Sequence, residues 1–503
     1  MNRRLLLLGM LALLMLSCRA VTRVFEPAPP TPPTTTPLPY LTPLPTITPI
    51  IPTATPLEPT RVPPTPPDPA GLISAPQVAP ASFAHPDRPD LGATVYYVDT
   101  PHFRLHYTLA SDHAVPTIDA DTSGIPDYVE ETAIAFEYSW QVEVDVLGWA
   151  APPADNGIAG GDLYDVYFED IYDDGTAGYT DGGYDDTLVG DNPNSPATEL
   201  YASYSYISID NDFAENDEWG DPSIPLLDVM RATAAHEFNH ALQFGYDGFE
   251  PAAWLWEATA TWMEDLVYDD INDSDFYLET VYKSPDTCQI AEGEYDTIED
   301  GHWYGMWIFL RFISERHGNG VILSLWEHLA TQDDYAALEA TLSEQGLTLD
   351  KVFTDFAIAL LLRDFEEGLQ HPVAALEGEV SLGEAYTPVD GVPQMAVDFV
   401  RVLPSGLTTI TLSGLRDGVL VGIRAQQADI HPLINGRAAI DGHAYDVVYL
   451  LVLNLVRAAS ESDCTAADYT ITLSSASEAG VPAQVIPAPN FRAPRIESDS
   501  LLG

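Results

Sequence analysis

Apolar residues recur every three or four positions through the middle of the chain, and this spacing predicts amphipathic helices. The predicted helices are Tyr128–Leu147, Leu226–Gly245, Pro251–Tyr268, Met306–His317, Val321–Ala330, Tyr335–Glu344 and Leu349–Arg363. Six of these seven helices lie between residues 226 and 363. A largely helical region is therefore expected between residues 226 and 363.

Alternating apolar and polar residues predict strands on both sides of these helices. The strands expected before them are Thr94–Val98, Phe103–Tyr107, Asp162–Asp170 and Tyr204–Ile209, and those after them are Met395–Leu403, Leu407–Leu412, Val419–Ala425, Val447–Val456 and Tyr469–Leu473. The later strands are short and are separated by Gly, Pro and Asp, which is typical of a β-sandwich. Tyr172–Asp191 is rich in Asp and Gly, so we expect a loop that could make further ion contacts.

These patterns indicate an α+β protein with two folded parts. Residues 81–385 are expected to form one domain, with a mixed sheet and packed helices, and residues 390–476 a small all-β sandwich. Glu377–Val389 is a linker by composition. A chain of 503 residues is also too long for one ordinary core, which agrees with two domains.

The N-terminus predicts export. Arg3 and Arg4 precede the apolar run Leu5–Leu16, which is too short to span a bilayer comfortably, so residues 1–18 are expected to be a signal peptide. The four residues from Met15 to Cys18 resemble a bacterial lipobox, although Met15 replaces the more usual Leu. The resemblance implies a lipid on Cys18 and an anchor at the outer face of the bacterial cell membrane or cell surface.

Segments rich in Pro and Thr separate this anchor from the folded part. Residues 19–80 cannot build a core and are expected to form a disordered, extended stalk. At ~3.1 Å per residue, the stalk could hold the folded part on the order of 100 Å from the membrane. Residues 477–503 are expected to be a disordered tail.

The acidic composition limits the partners of the protein. A formal charge of −57 and a pI near 4.1 should repel nucleic acid and anionic membranes and attract divalent cations. We therefore expect no nucleic acid partner, contact with the membrane only through the lipid anchor, and a monomer. Cys288 and Cys464 could pair outside the cell, or could remain two unpaired buried thiols.

An acidic loop before the first predicted helix has the ligand spacing of an EF-hand calcium loop. Oxygen-bearing side chains occupy positions one, three, five, nine and twelve, which are Asp119, Asp121, Ser123, Asp127 and Glu130. Gly124 stands at position six, where a sharp turn is needed. No helix is expected to lead into the loop, so we predict a structural Ca²⁺ site; the alternative is an acidic turn that caps the following helix.

The sequence His236-Glu237-Phe238-Asn239-His240 lies within a predicted helix. Residues four apart share a helix face, so both imidazoles can bind one metal ion, with Glu237 beside them as a general base. Glu257 follows on the next helix, and a turn plus two helical turns would bring it back as a third ligand. Thr261 and Glu264 share its face, and either could orient a histidine.

This pair of helices resembles the gluzincin branch of the HExxH zinc metallopeptidases, the thermolysin and aminopeptidase N clan. The similarity is carried by HEFNH and by WLWEATATWMED, which follows the family's W-x-x-E-G-x-A pattern with Ala258 in place of Gly. It is greatest to metalloproteases found on bacterial cell surfaces. The close match covers Leu226–Gly318.

The resemblance implies a zincin-like fold, with zinc bound by His236, His240 and Glu257 and peptide hydrolysis through Glu237. A Tyr at the start of a helix, closely followed by Gly, donates to the oxyanion in related enzymes. That comparison indicates Tyr304, with His302 as second choice; core packing is the alternative role for such aromatic residues. The strand Tyr204–Ile209 would be the edge along which a substrate peptide lies.

Other classes of protein fit less well. A metzincin would have Gly and His or Asp where this chain has Gln243 and Tyr246, and the Gly-x-Met-Glu-Asn motif of an aminopeptidase is absent from the sequence. The remaining alternative is a surface binding or adhesion protein on a degenerate peptidase scaffold. The substrate would be a peptide or protein, and an endopeptidase is expected.

Overall fold

The computed structural model describes residues 64–67, 71–171, 176–214, 223–293, 297–425 and 427–475. The predicted signal peptide with Cys18, the stalk up to residue 63 and the tail 477–503 lie outside these ranges. Within them, no helix is long and apolar enough to cross a membrane.

A six-stranded mixed sheet opens the folded part, with strand order β1-β2-β3-β4-β8-β5. Strands β3, β4 and β8 are parallel, and the other pairs are antiparallel. The strands are β1 (Gln77–Val78), β2 (Val95–Asp99), β3 (Phe103–Thr108), β4 (Tyr164–Glu169), β5 (Gly178–Gly182) and β8 (Ser205–Asp210), with β6 (Leu188–Gly190) and β7 (Ala202–Ser203) forming a separate pair. A mixed sheet was predicted here and is confirmed.

Two predictions about this region are wrong. Tyr204–Ile209 is not an edge strand, because β5 pairs with β8 on its outer side. The sequence missed β5 because its residues, Gly-Tyr-Thr-Asp-Gly, show no apolar alternation. The predicted stalk also extends too far, since β1 lies within it and pairs with β2 through its backbone while both of its side chains are exposed.

Helices pack on this sheet and then on one another. They are α1 (Asp127–Trp140), α2 (Leu226–Asp247), α3 (Ala253–Val267), α4 (Leu278–Lys283), α5 (His302–Gly305), α6 (Trp307–His317), α7 (Gly320–Leu329), α8 (Asp334–Glu344) and α9 (Leu349–Leu362). A π-helical segment, Gln141–Val146, continues α1. Helix α2 lies between the sheet and α3, so it is buried over most of its length.

Two further sheets form the C-terminal part and enclose an apolar core of their own. Their strand orders are β14-β13-β16-β11-β9 and β10-β17-β12-β15. The strands are β9 (Gly378–Ser381), β10 (Ala385–Tyr386), β11 (Ala396–Leu403), β12 (Leu407–Ser413), β13 (Gly418–Arg424), β14 (Gln427–Pro432), β15 (Arg437–Asp441), β16 (Val447–Asn454) and β17 (Thr470–Ser475). The predicted all-β sandwich is present.

The predicted linker Glu377–Val389 is wrong, because it contains β9 and β10. These strands pair at the edges of the two sheets and are too short to show a period in the sequence. The all-β part therefore begins near residue 378 rather than 390.

The sandwich is attached firmly to the helical region. The outer face of its five-stranded sheet, including Phe399 and Leu451, joins the same apolar core as the helices. Arg457 forms ion pairs with Glu339 and Asp350 across this contact. Cys288 and Cys464 form a disulfide between the two parts, which selects the paired alternative for these cysteines.

Candidate metal centre

Packing sets the direction in which the two histidines of α2 point. Phe238 lies between them in sequence and packs its ring against Phe103 of β3, with 5.2 Å between ring centroids. Because residues two positions away on a helix face largely the other way, His236 and His240 are turned from the sheet toward α3. The apolar contact with the sheet thus fixes the metal-binding face of α2.

The structure brings the three predicted zinc ligands together. His236 Nε2 and His240 Nε2 lie 3.0 Å apart, and Glu257 Oε2 lies 3.4 Å from the first and 3.5 Å from the second. All three side chains are buried, with relative exposures of 2%, 5% and 9%. Glu257 reaches them from α3, as the turn between the helices predicted.

Hydrogen bonds at the other ring nitrogens determine where the protons of the histidines are. His236 Nδ1 lies 2.6 Å from the carboxylate Oε1 of Glu264, and His240 Nδ1 lies 2.7 Å from the amide Oε1 of Gln243. Both partners are acceptors, so each Nδ1 carries the proton. Each Nε2 therefore presents a lone pair toward Glu257.

His236 Nε2, His240 Nε2 and Glu257 Oε2 are thus three hydrogen-bond acceptors that lie close together, and none of them carries a hydrogen to donate to the others. Among the described residues, Glu257 Oε2 has no hydrogen-bond partner although it is fully buried. A cation is the species that compensates such an arrangement. Zinc bound tetrahedrally at ~2.0–2.1 Å would hold its ligands about 3.3 Å apart, and the two imidazole–carboxylate separations are close to that value.

The surrounding charges reinforce the demand for a cation. Despite the burial of Glu257, protonated imidazoles would lower its pKa to about 2, but in the neutral tautomers described above only a bound cation offsets the burial of this carboxylate. Burial also raises the pKa of Glu237 and of Glu264 despite the nearby histidines. Several buried carboxyl groups close to one another are stabilised by a divalent ion.

Of the two residues predicted to orient a histidine, Glu264 and Thr261, only the first makes a hydrogen bond to one in the described structure. Glu264 holds His236, as described above. Thr261 does not orient a histidine: it is buried, and within the described part of the chain its hydroxyl has no hydrogen-bond partner. Its position on the same helix face as Glu257 was the only signal for it in the sequence.

A chain of polar groups that sequence reasoning missed supports His240. Gln243 Nε2 donates to Asn239 Oδ1 at 2.9 Å and to the Trp256 carbonyl at 3.1 Å, which leaves its oxygen for His240. Asn239 Nδ2 in turn donates to Glu143 Oε2 at 3.1 Å. Glu143 is fully buried in the π-helical segment, and burial raises its pKa well above the ordinary value despite the hydrogen bond from Asn239.

Only part of this hydrogen-bond network of Gln243, Asn239 and Glu143 could have been predicted from the sequence. Asn239 and Gln243 are four apart on α2, which signals a hydrogen-bonded pair on one helix face. Glu143 comes from a segment ninety-six positions before Asn239, and its place depends on how α1 crosses α2. π-Helical turns often occur at functional sites, and this one inserts a carboxyl group beneath the metal-binding helix.

Tyr304 lies beside the candidate metal centre. Its ring stacks on that of His236, with 6.1 Å between centroids, and on that of Tyr277 at 4.8 Å. His302 is buried on the same short helix α5, and burial lowers its pKa to about 4. The stacking on His236 favours Tyr304 over His302 as the oxyanion donor, and this role stays a prediction.

The acidic loop brings together three of its five predicted calcium ligands. Carboxylate oxygens of Asp119, Asp121 and Asp127 all lie within 4.8 Å of one another. The Ser123 N–H donates to Asp119 and Asp121 at 3.0 and 2.9 Å. Burial raises the pKa of Glu130, the Ser123 side chain lowers it, and the charges of the three aspartates raise it further. No side chain caps α1, which weighs against the alternative of a capping turn.

We predict that Ca²⁺ raises the melting temperature of the protein and that Asp119→Ala combined with Glu130→Ala abolishes the increase. The ion would neutralise like charges that repel one another in the folded loop. Thermal unfolding followed by circular dichroism, with and without millimolar Ca²⁺, measures the effect. Asp162→Ala, which removes an exposed carboxylate outside the loop, should keep the full response. An equal response in the double variant would place any Ca²⁺ elsewhere.

Residues 224–360 match a protein family of unknown function, DUF6055. This range contains α2, α3 and α5, and therefore His236, His240, Glu257 and Tyr304. A comparison with curated proteins finds no match.

Proposed function

We propose that the protein is a zinc-dependent metallopeptidase that hydrolyses peptide bonds of extracellular proteins or peptides. The observation that carries the proposal is the convergence of His236 Nε2, His240 Nε2 and Glu257 Oε2, separated by 3.0 to 3.5 Å with both Nδ1 atoms protonated. Two His and one Glu with a general base adjacent is the donor set of a hydrolytic zinc site. It is also the set that the gluzincin resemblance implies.

The metal and the protein would divide the chemistry between them. Bound zinc polarises the scissile carbonyl and acidifies water. His236, His240 and Glu257 would hold the ion, and Glu264 and Gln243 keep the two imidazoles in the tautomer that binds metal.

The proton transfers fall to Glu237. It would take a proton from the attacking water and pass it to the departing amine nitrogen. Its side chain is fully buried, and burial raises its pKa, which brings a carboxyl group closer to the basicity that a base at neutral pH needs. Tyr304 would donate a hydrogen bond to the carbonyl oxygen as it gains charge.

The setting of the reaction is proposed from the sequence. Export and a lipid on Cys18 would place the enzyme outside the cell, and the disulfide between Cys288 and Cys464 is compatible with an oxidising compartment. The acidic loop would hold a structural Ca²⁺ on the domain that carries the zinc site.

Cleavage of an unfolded protein tests the proposal. The zinc-loaded chain is incubated with reduced, alkylated casein, and new N-termini are identified by mass spectrometry. We expect cleavage that stops when 1,10-phenanthroline removes the metal and resumes when zinc is restored. A zinc-loaded protein that generates no new N-termini would favour the non-catalytic binding protein instead.

A further inference from the structure

The edge strand β5 crosses α2 at the general base. Side chains of a strand alternate between its two faces, so Gly178 and Thr180 face the helix while Tyr179 faces away. The Tyr179 hydroxyl bonds to Glu169 Oε2 at 2.6 Å on that opposite face. Two small residues of β5 are therefore the ones that meet Glu237.

Gly178 allows this close approach. A Cβ atom at this position would lie 2.8 Å from Glu237 Cγ and 3.0 Å from Thr233 Cγ2. Real Cβ atoms do not come so close to a carbon, so any other residue would push the strand away from the helix. The glycine thus keeps the neighbouring Thr180 within reach of Glu237.

Thr180 makes two contacts with Glu237. Its hydroxyl oxygen lies 2.9 Å from the backbone carbonyl oxygen of Glu237 and 2.9 Å from the carboxylate Oε2 of the same residue. The carbonyl contact ties the strand to the helix. The carboxylate contact restricts the rotation of the Glu237 side chain.

We propose that Thr180 is a positioning residue that holds the carboxylate of Glu237 for its role as general base. This inference rests on the proposed peptidase function. A hydroxyl both donates and accepts. It can therefore donate to Oε2 while Glu237 is ionised. It can donate to the carbonyl and accept from the carboxyl once Glu237 has taken the proton of water. One side chain thus keeps Glu237 oriented before and after the transfer.

A purely structural role for Thr180 makes a different prediction. If the hydroxyl mattered only through its bond to the backbone carbonyl, its loss would weaken the packing of β5 on α2. Such a change would lower stability or zinc content and would not act selectively on turnover. The positioning role acts on the chemical step and leaves substrate binding and the metal in place.

The test compares Thr180→Val, which has nearly the same shape, with Thr180→Ser, which keeps the hydroxyl. Steady-state kinetics are measured on a fluorescence-quenched peptide built around a bond that the wild type cleaves in casein. Because hydrogen bonds to charged groups are among the stronger ones, we expect kcat to fall about 10- to 100-fold in Thr180→Val. KM and zinc content should stay close to wild type, and Thr180→Ser should retain kcat within about 3-fold.

Thr341→Val is the matched control. Thr341 is buried in α8, and its hydroxyl donates to the backbone carbonyl of Ala337, at 2.9 Å. The same loss of a hydroxyl there should leave kcat unchanged. Melting temperature and zinc content of every variant show whether it is folded and loaded.

The possible outcomes separate the two proposals. If the wild type cleaves and Thr180→Val turns over as fast, the role of Thr180 is wrong while the peptidase function stands. The same holds if Thr180→Ser falls as far as Thr180→Val, or if Thr180→Val loses its zinc. If the zinc-loaded wild type cleaves nothing, the function fails, and the role of Thr180 fails with it.

Discussion

Replacing Glu237 by Gln is expected to lower kcat for peptide hydrolysis by about 10²- to 10⁴-fold, the range that a positioned general base contributes. Gln has the same length and can keep a hydrogen bond with Thr180, but its amide cannot accept a proton from water. The proposed zinc ligands His236, His240 and Glu257 are untouched, so the metal should remain bound. The fluorescence-quenched peptide assay and elemental analysis of the same sample measure both quantities.

Glu199→Gln serves as the control for this change. Glu199 is a buried glutamate of the same domain, and its carboxylate binds the backbone N–H of Asn192 at 3.0 Å. That variant should retain its turnover. Hydrolysis that continues at the wild-type rate in Glu237→Gln, with zinc in place, would mean that Glu237 is not the base.

The second large effect is expected on zinc affinity when Glu257, the proposed third ligand, is removed. Proteins hold structural zinc with roughly 10–16 kcal/mol, so loss of one ligand is expected to weaken binding by on the order of 10²- to 10³-fold. Glu257→Ala should therefore lose zinc in competition with a chromophoric chelator, and lose hydrolysis with it. The buried Oε2 of Glu257 is the atom whose removal causes the loss.

Substitutions of two other residues of α3 provide zinc affinities for comparison with that of Glu257→Ala. Glu264→Gln disturbs the hydrogen bond to His236 Nδ1 and should cost about 10- to 100-fold in zinc affinity, as is usual for residues that orient a ligand. Thr261→Val should cost nothing, since the Thr261 hydroxyl makes no hydrogen bond within the described ranges of the chain. Equal affinities for all three variants would show that zinc binds elsewhere.

The metal ligands were predictable because local patterns encode them. The spacing of His236 and His240 works on any helix, and the apolar period of the chain shows that α2 and α3 are helices. Glu257 follows from the short turn between them. Glu264 was found for the same reason, since residues seven apart share a helix face.

The residues around these ligands were less predictable, because tertiary packing places them. Thr180 and Gly178 lie on a strand whose sequence has no alternating pattern, since its inner face has room only for small side chains. Glu143 reaches α2 through a π-helical turn that nothing in the sequence marks. Strand β8 was taken for the sheet edge because β5 went unrecognised beside it.

The short strands β1, β9 and β10 are not predictable from the sequence for a related reason. They are held by backbone pairing at sheet edges, which leaves little trace in side-chain order. The disulfide between Cys288 and Cys464, in contrast, joins residues that are evident in the sequence but whose contact depends on tertiary packing. Two cysteines permit a single pairing, and the docking of the sandwich on the helices decides that it forms.

Native mass spectrometry of the folded chain, exchanged into a volatile buffer after incubation with one equivalent of zinc, tests the central claim most directly. The convergence of His236, His240 and Glu257 predicts a mass increase of one tightly bound zinc per chain, absent from Glu257→Ala treated in the same way. A folded wild-type chain that carries no zinc, or a Glu257→Ala chain that carries as much, would contradict it.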